Sequence, residues 1–232
     1  MKLFALLKFY YATLMIFLSM AFMIIIFPFF PRPYAQKIGA WVIRILIFIP
    51  VTIKGKIDPD VQMLVLNHQS DVDIGVMETI TKKDLAWVAK KELFDVPFFG
   101  LMLKLPKDIA VERESKTSLV KLLKDAKDRL DDGRVITIFP EGTRSSGKKM
   151  LPFKAGAQVL ANKYSLRVQP LVLINTAHSY NSKTKLYNPG RVTVIYMDAF
   201  DVDKSDKEWY TNLRTSMQKV YDDELANTSS NR

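Results

Sequence analysis

At 232 residues the chain is long enough for one domain of ordinary size plus an appendage. Its formal net charge of +10 directs it towards acidic partners: phosphate groups, anionic lipid or nucleic acid. It has no cysteine, which excludes disulfides, thiolate metal sites and a cysteine nucleophile, and is compatible with a reducing compartment.

From Phe9 to Pro31 the chain carries no charge and is dense in Phe, Tyr, Met, Leu and Ile, long enough for a bilayer-spanning helix. A cleaved signal peptide would be shorter and followed by a small-residue cleavage site. Pro28, Pro31 and Pro33 break this helix. A second apolar segment, Ile38 to Val51, is interrupted by Arg44 and is short for a span, so it reads as an interfacial helix. Lys2 and Lys8 precede the first segment, and Arg32 and Lys37 follow it. A single span would send one of these basic groups outward, against the positive-inside tendency. The expectation is a two-helix membrane anchor over residues 1–50, seated in the cytoplasmic leaflet, with a true span as the competing reading.

From Val51 the pattern changes. Strands are expected at Val51 to Gly55, Met63 to Leu66, Leu85 to Ala89, Ile109 to Val111, Val135 to Phe139, Arg167 to Ile174 and Arg191 to Met197. Ser118 to Leu130 is the clearest helix: Leu119, Leu122, Leu123, Ala126 and Leu130 share one face, and Gly133 stands at its C′ position. A short helix falls within Phe153 to Asn162, and a last amphipathic one runs from Asp206 to Leu225. Strands alternating with helices give an α/β domain, a central sheet flanked by helices, over residues 51–226. Residues 227–232 are expected to be a disordered tail.

Chemistry concentrates in two stretches, each at the end of a buried strand. The first is Asn67-His68-Gln69-Ser70-Asp71-Val72-Asp73. Histidine occurs only at positions 68 and 178, and His68 has a carboxylate five residues on. An Asp beside a His fixes the imidazole tautomer and stabilises the imidazolium, so the ring can act as a general base towards a hydroxyl. The same stretch also reads as a helix start, with Ser70-x-x-Asp73 a capping-box variant and His68 an ordinary loop residue. The second stretch is Phe139-Pro140-Glu141-Gly142-Thr143-Arg144-Ser145. Gly142 permits a tight turn near a ligand, and Arg144 offers a planar fork for phosphate or carboxylate; alone, it would equally suit a solvated turn.

Together, Asn67-His68-x-Ser70-x-x-Asp73 and Phe139-Pro-Glu-Gly-Thr-Arg-Ser145 resemble the glycerolipid acyltransferase family, in particular 1-acylglycerol-3-phosphate acyltransferases of the bacterial PlsC type. The similarity covers roughly Val51 to Met197, and an apolar N-terminal anchor fits it. The resemblance implies that His68 is the general base and Asp73 its orienting partner. It implies that Glu141, Gly142, Thr143 and Arg144 bind the acceptor, with Arg144 on its phosphate. Pro170 resembles part of the fourth block of the family pattern. In the second block Arg113 is kept, but Glu112 stands where the family has Asp and Lys107 where it has Gly. Arg113 is carried over as substrate-binding on that basis, and Lys90 as the basic residue before a Glu-Leu step.

The activity so implied is acyl transfer from a thioester, acyl-CoA or acyl carrier protein, to the sn-2 hydroxyl of lysophosphatidate, giving phosphatidate. It needs no cofactor beyond that co-substrate and no metal, and it places the protein on the cytoplasmic face of the cell inner membrane with lipid as partner. Another lysolipid or glycerol 3-phosphate is an alternative acceptor. A non-catalytic membrane-surface protein is the rival of another class, served by Lys82-Lys83, Lys90-Lys91 and Lys148-Lys149. Nucleic acid binding leaves the anchor unexplained. Gly142 to Lys148 imitates a phosphate-binding P-loop, but Lys149 stands where a Mg²⁺-ligating hydroxyl belongs and Pro152 interrupts the helix that should follow. No Gly-x-Ser-x-Gly elbow occurs. His178, in the polar stretch Asn175 to Lys185, reads as structural or solvated.

Overall fold

The computed structural model describes residues 2–112, 116–147 and 149–230. Two helices come first, α1 (Lys2–Ile26) and α2 (Arg32–Leu46), separated by a 3-10 turn at Phe27–Phe29. They are followed by β1 (Val51–Lys54), β2 (Met63–Leu66), α3 (Asp73–Ile80), β3 (Leu85–Lys90), α4 (Lys91–Phe94), α5 (Phe99–Lys104) and β4 (Ile109–Val111). Next come α6 (Lys116–Asp131), β5 (Val135–Ile138), α7 (Ala155–Tyr164), β6 (Arg167–Ile174) and α8 (Thr176–Ser179). The chain then passes through β7 (Tyr180–Asn181), β8 (Leu186–Tyr187), β9 (Val192–Tyr196), β10 (Phe200–Asp201) and α9 (Trp209–Ser230).

Seven strands form one path in the order β1-β9-β6-β2-β5-β3-β4, and β10 pairs with the start of β6. The ladders β6-β2, β2-β5, β5-β3 and β3-β4 are all parallel, whereas β9 runs antiparallel to β6. All four residues of β2 and of β5, apolar except for Thr137, are buried, as expected of parallel strands covered on both faces. Alternation divides them between two cores. Met63 and Val65 join Leu122, Ala126, Leu160 and Met217 on the face covered by α6, α7 and α9. Leu64 and Leu66 join Phe9, Ile47, Val76 and Met77 on the face covered by α1, α2 and α3.

The N-terminal helices are therefore part of the α/β/α sandwich and not an appendage to it. Ala12 and Ile47 are fully buried. Helix α2 is tied down by Arg32 to Asp84 at 2.8 Å, Lys37 to Glu78 at 3.6 Å, and a hydrogen bond from Arg44 to Thr79 at 3.1 Å. It starts six residues before the expected Ile38, because Pro33 suits the first helical turn, and ends at Leu46. Phe48 then takes a left-handed conformation (φ 45°), and Ile47 and Ile49 turn into the core. Among the described residues one helix, Lys2–Phe29 with its 3-10 turn, is long and apolar enough to cross a membrane. Its outward side exposes Phe4, Leu7, Tyr10, Leu14, Phe17 and Leu18.

Helix α6 ends as its sequence predicts, with Gly133 at φ 72° donating to the Leu130 carbonyl. Helix α9 continues to Ser230, four residues into the segment expected to be a disordered tail. Extending a helix that is already nucleated costs far less than starting one, so weak helix formers such as Asn227 and Thr228 can follow.

Candidate active site

Because β2, β5 and β3 are parallel neighbours, the loops leaving their C-terminal ends lie side by side, where open α/β sheets bind ligands. The loop after β2 carries Asn67 to Asp73, and the loop after β5 carries Phe139 to Ser145. Asn67 continues the ladder with its side chain: Nδ2 donates to Leu173 O at 2.9 Å and Oδ1 accepts from Leu173 N at 2.7 Å. The chain can then leave the sheet without stranding backbone groups on β6.

His68 follows at the turn. Its Nδ1 lies 2.7 Å from Asp73 Oδ2, and that oxygen also accepts from Gln69 N at 2.7 Å and Ser70 N at 2.9 Å. Asp73 is fully buried, whereas the His68 side chain is 19% exposed. A carboxylate facing Nδ1 makes that nitrogen the donor and leaves Nε2 with the free lone pair. Nε2 has no hydrogen-bond partner among the described residues. Ser70 does not occupy the N-cap of α3, a position held by Val72. Its hydroxyl instead accepts from Val72 N at 3.3 Å and donates to Tyr180 O at 2.5 Å, tying the loop to the β7-β8 hairpin.

The second loop is locked to the first. Ser145 N donates to His68 O at 2.8 Å. Glu141, only 2% exposed, accepts from His68 N on Oε1 at 2.7 Å and from Leu151 N on Oε2 at 2.6 Å. Burial pushes its carboxyl upward, opposed by the hydrogen bonds from Leu151 and His68. Both oxygens of Glu141 thus accept from protein backbone. Gly142 takes φ 69°, closing a turn whose N–H returns to Phe139 O at 3.0 Å. Thr143 is exposed.

Arg144 sits at the mouth of this turn, bonded to Asp71 and Ser182. Lys90 ends β3, two strands from β2 at the same end of the sheet, and its Nζ pairs with Glu92 at 3.0 Å. Arg113 lies outside the described residues; Glu112, just before it, pairs with Lys91 at 3.4 Å. The structure thus brings His68, Asp73, Glu141, Gly142 and Arg144 together at the C-terminal ends of β2 and β5, with Asp73 and Glu141 buried beneath the exposed groups. Lys90 stands at its edge.

Several contacts at the site were not foreseen from sequence. Phe139 stacks on the His68 ring, with centroids 4.0 Å apart. Trp87 stacks on Phe139 at 5.4 Å and is itself fixed by a hydrogen bond from Nε1 to buried Glu78 at 2.8 Å. The segment 175–185 is not simply a loop: it contains α8 and the first strand of the β7-β8 hairpin, whose Tyr180 stacks on Phe9 of α1. His178 there is exposed and shares a hydrogen bond with Asn188. The P-loop likeness ends in structure as it does in sequence, for among the described residues after Gly142 the first helix begins only at Ala155. Among the described residues no group of three or more His, Asp or Glu could hold a metal ion.

A family model described as Acyltransferase matches residues 50–174, the stretch from β1 through β6 that carries both loops. A 1-acyl-sn-glycerol-3-phosphate acyltransferase of Helicobacter pylori is 42% identical over 168 residues, covering 72% of this chain and 71% of the relative. The Escherichia coli protein of the same name is 28% identical over 163 residues, covering 70% and 66%. The crystal structure of the 1-acyl-sn-glycerophosphate acyltransferase PlsC of Thermotoga maritima superposes with a TM-score of 0.75 at 23% identity, covering 97% of this chain and 96% of that one. That likeness is one of fold, and it extends over the N-terminal helices as well as the sheet.

Proposed function

The chain belongs to the acyltransferase family and is an acyltransferase, and we propose that it acylates the sn-2 hydroxyl of 1-acylglycerol 3-phosphate to give phosphatidate. The observation that carries this reading is the His68–Asp73 pair, which leaves Nε2 open beside a loop bearing an arginine fork. The names of the relatives point to the same acceptor.

In the proposed reaction the donor is an acyl thioester, acyl-CoA or acyl carrier protein. His68 Nε2 takes the proton of the acceptor hydroxyl as its oxygen attacks the thioester carbonyl. The tetrahedral intermediate collapses, the carbon–sulfur bond breaks, and the imidazolium returns its proton to the leaving thiolate. Asp73 holds the ring and stabilises its charge while the proton is there. Direct attack requires no acyl-enzyme, in keeping with a chain that has no cysteine. Arg144 binds the acceptor phosphate, with Arg113 and Lys90 as further basic contacts. Glu141 and Gly142 serve by shaping the turn that presents Arg144, and exposed Thr143 lies within it.

The apolar outer side of α1 fits association with a membrane, and the proposal puts that membrane contact at the cytoplasmic face of the inner membrane. A site seated at the bilayer avoids drawing an acyl chain into water, a cost of roughly 0.8 kcal/mol per CH₂. The test is a panel of acceptors, namely lysophosphatidate, glycerol 3-phosphate and other lysophospholipids, offered to the purified full chain with acyl-CoA and acyl carrier protein in parallel. Lysophosphatidate should be acylated fastest. Preference for another acceptor would reassign the substrate, and failure with every acceptor by folded protein would refute the reading.

A further inference from the structure

Arg144 is held from two sides. Its Nη1 donates to Asp71 Oδ1 and, at 3.0 Å, to Ser182 Oγ. Ser182 Oγ donates in turn to Asp71 Oδ2 at 2.6 Å, so the three side chains close a ring. They come from three elements: the His68 loop, the loop after β5, and the turn of the β7-β8 hairpin.

A guanidinium has five N–H groups in one plane, two of them on Nη1. Both Nη1 hydrogens are used by the ring. The opposite edge, Nε with Nη2, has no partner among the described residues. That edge carries the two parallel N–H groups with which arginine grips a phosphate bidentately. Fixing one nitrogen from two directions fixes the plane of the whole group, and hence where the free edge points. An anion competing for the phosphate's place would be expected on the Nε–Nη2 edge, and Asp71 is not there.

From this we infer that Asp71 and Ser182 are positioning residues that aim the Nε–Nη2 edge of Arg144 at the acceptor phosphate. The inference rests on the reading of Arg144 as the phosphate ligand. It gives the loop after β2 a double role. Asp73 sets the proton acceptor and Asp71, two residues earlier, sets the phosphate grip, so one short turn fixes the spacing between them. The hairpin that supplies Ser182 is braced by the stacking of Tyr180 on Phe9 and by the contact of its hydroxyl with Thr13 at 3.0 Å.

The experiment compares kcat and KM for lysophosphatidate, with an acyl-CoA donor, in wild type, Asp71→Ala, Asp71→Asn and Ser182→Ala, each also in an Arg144→Ala background. Asp71→Ala should raise KM about threefold to tenfold and leave kcat within about twofold. Asp71→Asn, which keeps an acceptor oxygen, should recover most of that loss. In the Arg144→Ala background the Asp71 and Ser182 changes should add nothing, because the residue through which they act is gone. An unchanged or lower KM in Asp71→Ala overturns the inference, the latter marking Asp71 as a competitor for Arg144. An equal rise with and without Arg144 overturns it too, since the effect would then be on the loop alone. Wild type that does not acylate lysophosphatidate is a separate outcome and removes the underlying reading of the substrate.

Discussion

The imidazole of His68 lies 4.0 Å from the ring of Phe139, centroid to centroid, and within 14° of parallel. Asp73 fixes the ring through Nδ1, and Phe139 shields one of its faces from water. The two contacts leave the imidazole little freedom to turn, and a base is effective only within hydrogen-bond reach of its proton.

Phe139→Leu keeps an apolar side chain but not the flat surface. It should lower kcat about tenfold through misorientation of the base, with little change in KM for the acceptor. Steady-state kinetics beside a thermal melt checks this, because a loss explained by unfolding would lower the melting temperature as well.

Asp73→Asn should be more damaging. One carboxylate oxygen meets three donors, His68 Nδ1 and two backbone N–H groups. An amide can keep part of the backbone clamp, but it cannot stabilise an imidazolium. The expected fall in kcat is at least about a hundredfold, measured as acyl transfer by protein that still sediments with liposomes.

Glu141→Ala distinguishes a clamp from a substrate ligand. It leaves the buried N–H groups of His68 and Leu151 without their acceptor. A buried group that loses its partner costs about 1–3 kcal/mol, so the melting temperature should drop by several degrees. A variant with raised KM and unchanged stability would instead place Glu141 on the substrate.

Asp108 carries a pH dependence of folding. Burial pushes its carboxyl up to about 8 from an ordinary 3.8, opposed by the hydrogen bond from Trp87 N and by nearby Arg134. The folded chain then holds this proton more tightly than the unfolded chain. The resulting stability is fully present below the unfolded value and is lost as pH rises through the folded one. Asp108→Asn keeps an acceptor for Trp87 N, at 3.0 Å, and does not titrate. Its melting temperature relative to wild type should rise between pH 4 and pH 8, because there the unfolded wild-type chain releases the proton that the folded chain still holds. A difference independent of pH over that window would contradict the assignment.

Much of the frame is legible in the sequence because the central strands are short, largely apolar runs and α6 has a clean amphipathic face. Met63 to Leu66 and Val135 to Ile138 emerge as buried strands, and their parallel pairing places His68 beside Glu141 and Arg144. What escaped the sequence depends on distant partners. Nothing local says that Glu141 turns inward, since its two donors, His68 N and Leu151 N, come from opposite directions along the chain. The β7-β8 hairpin has strands of only two residues each, too short to show alternation, so the stretch that carries Ser182 read only as polar. Trp87 read as a strand residue, and its line of contact through Phe139 to His68 exists only once β3 and β5 are paired. The N-terminal helices looked like an appendage because composition reports that α1 is apolar but not which of its sides faces protein.

The most direct test of the central claim is the rate of acyl transfer to lysophosphatidate by wild type and His68→Ala at equal amounts of membrane-bound protein. With His68 as general base, the variant should lose about 10²–10⁴-fold in kcat while its lipid binding and melting temperature stay close to wild type. A folded, membrane-bound His68→Ala protein that transfers acyl groups at nearly the wild-type rate would contradict that role.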